Sequence, residues 1–493
     1  MNPRCDCDSR AGAFTLGAVG RLFAGLLAVA AGLVAAPQAA AFTRTDHALA
    51  MGDGVTLAAS LYTPDGPPPA GGWPAVLVLH GLGGDRGDVS QVAEQFLTPE
   101  GYAVLTIDAR GHGESGGQSA LDGPREVADY ASAVAWLRAR PVINDAKIGA
   151  LGFSLGGGAV WKLLMAPGAR LAAAVPVMTW TSLYDALFPQ SFAKLGLLGS
   201  FRALLPEDRW DADVKAVAAD AALNRNLPRI QQFARERSVR HDLGKIRTPV
   251  LMIQGRRDDA FDMEQALTAF ARLRGPKRLY LGDLGHTPAG NPAAERSYYL
   301  TQARLWFDRY LKGQPNGIDR RPKLELAPDP WTGKTTHYVR QPARRVLRLR
   351  FRGRQTIDGG GKVVRTVAPT RRLNETFGTP LAAVNVASTT RWPHLVAVLS
   401  AVTPRGEEVI VSQGATSTPT LSGRARLVTI RLLSQATTIP RGSRLRLTVA
   451  GSSTAQQPAN QLYPLSVPSA SRAAIGEAKV VLPVLKRPIS RLP

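Results

Sequence analysis

Residues 147–156 read Lys-Ile-Gly-Ala-Leu-Gly-Phe-Ser-Leu-Gly, so an apolar run enters a Gly-x-Ser-x-Gly pattern at Gly152, Ser154 and Gly156. Gly157 and Gly158 then open a helix-forming stretch. A serine on such a strand-to-helix turn is held outward in a strained conformation, and the glycines give the backbone room for it. The helix N-terminus behind it aims N–H groups at developing negative charge. The chemistry this suits is nucleophilic attack and acyl transfer. A serine hydroxyl is a weak nucleophile, so it needs a base that is itself oriented by an acid. The run Val250–Ile253 leads into Gln254-Gly255-Arg256-Arg257-Asp258-Asp259. Asp258 is the expected acid, with Asp259 as the alternative. The run Lys277–Leu281 leads into Gly282-Asp283-Leu284-Gly285-His286. His286 is the expected base, and Asp283 is expected to be an exposed loop acid. The oxyanion needs two donors. They are expected from the N–H of Leu155 and from the N–H of Leu82, in the loop His80-Gly81-Leu82-Gly83-Gly84. His80 is expected to orient that loop, and His112 lies on another glycine-rich loop near the site. His47, His241, His337 and His394 have no spacing to one another or to acids that suits a metal. No metal site is expected, and acyl transfer to water requires no cofactor.

These residues need elements to hold them. Ala75–Leu79, Ala103–Ile107, Ile148–Gly152, Ala172–Pro176, Val250–Ile253 and Lys277–Leu281 read as buried strands, with helices such as Glu126–Ala139 and Gly156–Met165 between them. Alternating strands and helices predict a mostly parallel sheet with helices on both faces. In the α/β-hydrolase version of that fold the triad follows the chain order Ser, Asp, His, which is the order here. Residues 178–247 are helical in texture where a short connection would suffice, and predict a cap over the site. The catalytic domain is expected to span 42–317. Beyond it Val, Thr, Arg, Ser and Pro rise. Leu347, Leu349 and Phe351 alternate with Arg348 and Arg350, and Leu445, Leu447 and Val449 with Arg444 and Arg446. Period-two alternation predicts antiparallel strands and a C-terminal β-sandwich over 318–493.

The chain has 493 residues and a net charge of +23. Residues 42–316 hold 30 basic and 28 acidic residues, whereas 317–493 hold 28 and 8, so the excess belongs to the β-domain. Arg4, Arg10 and Arg21 precede the apolar stretch 22–36, and small residues follow at 38–41. That layout predicts a secretory signal peptide over 1–41 rather than a membrane anchor, because the apolar core is short. Export to the periplasm, the cell envelope or the outside is the corresponding expectation. Both cysteines, Cys5 and Cys7, lie in this segment. An exported protein without a nucleic-acid motif is not expected to bind nucleic acid. The basic β-domain is expected either to meet an anionic envelope surface or polymer, or to be a solvated arginine-rich face.

With these motifs in view, the chain resembles the X-Pro dipeptidyl-peptidase and cocaine-esterase family of serine hydrolases. Met51-Gly52-Asp53-Gly54-Val55-Thr56-Leu57 with Leu61-Tyr62-Thr63-Pro64 is similar to the family's opening hairpin. Asp108-Ala109-Arg110-Gly111-His112-Gly113-Glu114-Ser115 is similar to its D-x-R-G-x-G-x-S loop. The Ser154 elbow, Gly255 to Asp258, and Gly285-His286 follow in order. The resemblance implies an X-Pro dipeptidyl-peptidase-like serine hydrolase that cleaves a small ester or peptide substrate through an acyl-enzyme; export is the expectation from the N-terminal segment. It also implies a helical cap whose Trp180 and Tyr184 line the pocket, and a C-terminal jelly-roll. Family members carry a tyrosine on the loop after the first core strands that serves the oxyanion hole. That loop here is Leu-His-Gly-Leu-Gly-Gly, so a backbone donor takes its place. No acidic pair to grip a peptide's free amine stands out. Two other readings remain: an acyl esterase without peptidase activity, and a non-catalytic envelope-binding protein that uses the basic β-domain.

Overall fold

All six apolar runs form strands of one sheet in the computed structural model, which describes residues 42–388, 392–418, 425–455 and 460–488. Residues 1–41, with the expected leader and both cysteines, lie outside the described residues. The first strands are β1 (Phe42–Ala50), β2 (Thr56–Pro64), β3 (Trp73–Leu79), β4 (Ala103–Ile107), β5 (Ile143–Phe153) and β6 (Ala173–Val177). After the cap come β7 (Val250–Gly255), β8 (Lys277–Gly282), β9 (Leu324–Leu326) and β10 (Thr336–Tyr338). Their order across the sheet is β1-β2-β4-β3-β5-β6-β7-β8-β9-β10. The run from β4 to β9 is parallel, and β1, β2 and β10 pair antiparallel at the margins.

The central strands are apolar on both faces because both faces are covered. Leu77, Leu105 and Ala150 pack toward α1 (Pro124–Arg138), α2 (Leu155–Leu163) and α7 (Met263–Arg272). Val76, Val104 and Leu151 pack the other way, with Trp306 and Phe307 of α8 (Ala293–Tyr310). Between β6 and β7 the chain forms the cap helices α3 (Leu183–Leu187), α4 (Leu195–Arg202), α5 (Ala212–Ala222) and α6 (Leu227–Glu236).

The expected boundary at residue 317 is corrected by β9 and β10, which extend the first sheet to Tyr338. Leu279 stands beside Leu324 in register. These strands are three residues long, too short for a period to show. Glu325 interrupts the apolar pair, yet it is buried because Arg278 pairs with it at 3.4 Å.

The sandwich begins after that. One sheet contains β11 (Arg344–Phe351), β21 (Arg472–Leu485), β15 (Leu381–Ser388) and β18 (Arg426–Arg431) in that order, with β12 (Gln355–Asp358) also on β21. The facing sheet runs β13 (Lys362–Thr366), β20 (Arg444–Ala450), β16 (His394–Val402) and β17 (Glu408–Ser417). A short pair, β14 (Asn374–Glu375) with β19 (Thr438–Ile439), lies beside them. Phe351, Val384, Leu399, Leu445 and Val480 meet in the core between the sheets. Among the described residues no helix is long and apolar enough to cross a membrane.

Candidate active site

β5 delivers the chain to Ser154, whose φ of 52° and ψ of −111° lie in the strained positive-φ region. α2 starts at the next residue. The flanking glycines are required by contact: a Cβ on Gly152 would stand 2.1 Å from the Gly156 carbonyl oxygen, and one on Gly156 would stand 2.5 Å from that of Leu79. The turn is pinned on three sides. Ser154 N–H donates to the Val177 carbonyl at 2.9 Å, Gly156 N–H to the His80 carbonyl at 3.0 Å, and the Thr179 hydroxyl to the Ser154 carbonyl at 2.7 Å.

Ser154, His286 and Asp258 form one hydrogen-bonded row. Ser154 Oγ is 2.9 Å from His286 Nε2, and His286 Nδ1 is 2.9 Å from Asp258 Oδ2. Asp258 is fully buried at the end of β7. Its Oδ1 accepts the N–H of Ala260 at 2.8 Å and of Phe261 at 3.1 Å, and its Oδ2 also accepts the His286 N–H at 3.1 Å. Three backbone donors therefore hold the carboxylate in place. The Phe261 ring meets the imidazole edge-on at 5.0 Å, and Phe201 at 5.7 Å. With Nδ1–H tied to Asp258, Nε2 is the nitrogen that faces the serine.

Leu82 and Leu155 both border the cavity in front of Ser154. The N–H of Leu155, in the first turn of α2, has no intrahelical acceptor. A Cβ on Gly81 would stand 3.5 Å from Ser154 Cβ, so the Leu82 loop runs against the serine. His80 anchors that loop. Its Nε2 accepts the Ala109 N–H at 2.9 Å, leaving Nδ1 to donate to the Gly81 carbonyl at 2.7 Å. Burial holds its pKa below the usual histidine range. His112 is pushed down to about 3 by burial, and its Nδ1 bonds the Arg110 carbonyl.

Of the two candidate acids only Asp258 meets the imidazole, and two other expectations are corrected. Asp259 does not approach the imidazole. It turns away and accepts from Gln413 at 2.9 Å and Gln435 at 2.7 Å, both on the sandwich. Asp283 is buried rather than exposed, because it caps the His286 loop through the Gly290 N–H at 2.7 Å. Tyr184 is not among the cavity-lining residues. Its ring stacks on Phe188 at 5.7 Å and its hydroxyl donates to Ser191, which turns it off the face of α3 that carries Leu183 and Leu187. Trp180 does line the cavity, with its indole N–H bonded to the Arg237 carbonyl at 2.7 Å.

The cavity has a volume of about 360 Å³ and is almost wholly apolar. The cap contributes Leu183, Leu187, Leu198, Val217, Ile230 and Phe233. One charged side chain, Arg202, reaches it, and its guanidinium is paired with Glu207. Among the described residues that line it there is no carboxylate.

No local sequence pattern marks the support behind Asp258. Lys194 of the cap is buried and donates to the carbonyls of Asp259 at 2.7 Å and Ala260 at 3.1 Å. Arg256, fully buried, bonds the Ala327 and Ala436 carbonyls and pairs with Glu375. Asn460 in turn donates to Gln413. These partners lie far along the chain, where no local pattern links them. Burial pushes Asp259 up to about 7, with the nearby Lys194 pulling the other way.

A mostly parallel sheet, a serine on a strained elbow, an acid after β7 and a histidine after β8 define an α/β-hydrolase. Residues 53–288 match the model for the X-Pro dipeptidyl-peptidase (S15 family), and residues 264–472 match that for the X-Pro dipeptidyl-peptidase C-terminal non-catalytic domain. The chain belongs to this family of serine hydrolases. It is 27% identical over 276 residues to a putative Xaa-Pro dipeptidyl-peptidase of Streptomyces avermitilis, a match covering 51% of this chain and 40% of that protein. It is 25% identical over 379 residues to the cocaine esterase of a Rhodococcus species, covering 65% of this chain and 64% of that one. Both matches thus span less than two thirds of the relative. A CocE/NonD family hydrolase from Staphylococcus aureus shares the fold with a TM-score of 0.70 at 16% identity, over 90% of this chain and 94% of the other.

Proposed function

We propose that the protein is an exported serine hydrolase that cleaves esters of an apolar acyl group through an acyl-enzyme. His286 Nε2 takes the Ser154 proton as Oγ attacks the ester carbonyl, and Asp258 holds the imidazole and stabilises its charged form. The N–H groups of Leu155 and Leu82 receive the oxyanion. His286 then protonates the leaving alcohol. Water, activated by the same imidazole, releases the acid and restores Ser154.

One observation carries the choice of ester over X-Pro peptide: the cavity that Ser154 faces is apolar and lacks a carboxylate among its lining residues. A dipeptidyl substrate brings a free ammonium to within two residues of the scissile bond. A charge buried without a partner is strongly disfavoured. An acyl chain needs only apolar walls. The X-Pro reading rests on the family matches.

The test offers purified protein and its Ser154→Ala variant a p-nitrophenyl hexanoate and an X-Pro anilide. Ester turnover and labelling by a fluorophosphonate, both lost in Ser154→Ala, are the expected results. Preferential cleavage of the anilide would overturn the ester reading, and turnover of neither with no labelling would overturn the hydrolase reading.

A further inference from the structure

The sheet formed by β11, β21, β15 and β18 buries one face in the sandwich and leaves the other to solvent. Register settles what the outer face carries. Arg348, Val481, Leu381 and Arg431 stand side by side in one row across the four strands. Arg350, Lys479, Ala383 and Thr429 form the next row. Arg344 and Val346 continue the face along β11, and Leu427 along β18. The four strands contain a single acid, Glu477, which pairs with Arg350 at 2.9 Å.

Cations alone suit any polyanion. This face also exposes large aliphatic side chains between them: Val346 is 43% exposed, Val481 and Leu381 38% each, and Leu427 63%. Leu381 and Val481 are direct cross-strand neighbours, flanked by Arg348 and Arg431. An aliphatic pair gains nothing from a soluble polyanion. It gains from a partner that offers negative charge and an apolar medium at one surface. Arginine and lysine can reach headgroup phosphates while their stems, and the aliphatic residues between, settle at the acyl boundary. The rows span about 15 Å at the usual strand spacing, a patch broad enough for several lipids. The β18 edge of the same sheet borders the cap. Gln190 donates to the Thr429 carbonyl at 3.1 Å and accepts the Arg431 N–H, which ties the margin of β18 to the segment between α3 and α4.

We propose that this outer sheet face docks the protein onto an anionic phospholipid bilayer. It thereby holds the cap, and the apolar cavity beneath it, beside the phase in which acyl esters collect. Only this last consequence rests on the proposed function. The docking itself does not.

The test uses the full mature chain with vesicles of phosphatidylcholine, with and without phosphatidylglycerol, and with heparin as a soluble polyanion. Two double variants separate the forces: Arg348→Gln with Lys479→Gln, and Leu381→Thr with Val481→Thr, the latter keeping strand-forming residues. The expected result is partition onto the anionic vesicles only. The charge variant weakens it about 30-fold, at about fivefold per cation. The threonine variant weakens it at least severalfold while leaving heparin binding unchanged. Unchanged melting temperatures show that both variants fold, and a single Val481→Thr serves should the double variant melt early. Absence of vesicle binding, equal binding to neutral vesicles, or a threonine variant that binds vesicles like wild type each overturns the proposal. The last outcome assigns the face to a soluble polyanion.

Discussion

The apolar cavity makes a quantitative demand on substrate preference. Each methylene taken from water into apolar surroundings contributes about 0.8 kcal/mol, which is about fourfold in kcat/KM when the group is equally buried in the transition state. The cavity of about 360 Å³ is lined by Ser154, and the proposed ester reading places the acyl group in it. Along a p-nitrophenyl series with a constant leaving group, four added methylenes from acetyl to hexanoyl are worth about 3 kcal/mol, or on the order of 10²-fold in kcat/KM. The gain then stops when the walls are met. Val217 lines the cavity from α5 and is buried, so Val217→Phe shortens the available space by about four carbons' worth of side chain. It is expected to move the optimum to shorter acyl groups and leave acetyl turnover within a fewfold of wild type. The assay is initial rates on the series for both proteins. Rates that fall steadily from acetyl onward, or a variant that slows every ester equally, would show that the acyl group lies elsewhere and that the cavity does not select the substrate.

Other consequences follow from the same geometry. Asp258→Asn should lower kcat by about 10⁴, since the amide fixes the wrong imidazole tautomer. Asp259→Asn should cost far less, because Asp259 bonds Gln413 and Gln435 rather than His286; equal losses would refute the assignment of the acid. Asp259 is raised to about 7 by burial, so the folded chain holds a proton that the unfolded chain releases near pH 4. Stability is therefore lost as pH climbs from about 4 to 7, by up to about 4 kcal/mol from this group. Chemical denaturation at pH 4.5 and 8 should show Asp259→Asn gaining on wild type across that window, and a pH-independent difference would contradict it. Glu375→Gln removes the charge that partners buried Arg256. Leaving that guanidinium unpaired costs about 3–5 kcal/mol, to be seen as a lowered urea midpoint; an unchanged midpoint refutes the pairing. Gly152→Ala should give no folded, active protein, since its Cβ would stand 2.1 Å from the Gly156 carbonyl oxygen; recovery of soluble active enzyme would show that the elbow can relax.

The elbow was legible because its cause is local. Gly152 and Gly156 are small for reasons that lie within a few residues of Ser154, and the buried strands announce themselves as apolar runs. His286 was legible through chain order on a recognised sheet. What escaped the reading was set by distance. Asp258 and Asp259 are neighbours with the same chemistry, and only residues more than 150 positions away, Gln413 and Gln435, make one of them face inward to the sandwich. The position of Tyr184 is not legible locally because α3 is only five residues long, and which side of it meets the cavity depends on Phe188 and Ser191. Asp283 looks like an exposed acid from the sequence because its acceptor role toward Gly290 exists only once the His286 loop has folded back. The boundary at residue 317 failed because β9 belongs to the first sheet through a pairing with β8, not through any composition of its own.

That same distance dependence argues that the β-sandwich is part of the site's framework rather than an appended module. The loop bearing Asp258 is held along its whole length by residues 434–436. Ala436 N–H donates to the Arg256 carbonyl at 2.8 Å, Met263 N–H to the Ser434 carbonyl at 3.0 Å, and Gln435 reaches both Asp259 and the Arg257 carbonyl. Lys194 closes the ring from the cap. The carboxylate that orients His286 is thus fixed by a loop whose two sides belong to different domains, with the cap bonded to the loop between them. Such groups are buried at a cost, and the cost is met only while every partner is present. A catalytic domain cut away from its sandwich would expose Arg256, Asp259 and the loop backbone together. The distance from His286 Nδ1 to Asp258 would then no longer be determined by packing. The sandwich therefore acts on the acid through this inner contact, which sets the geometry of the loop that carries it.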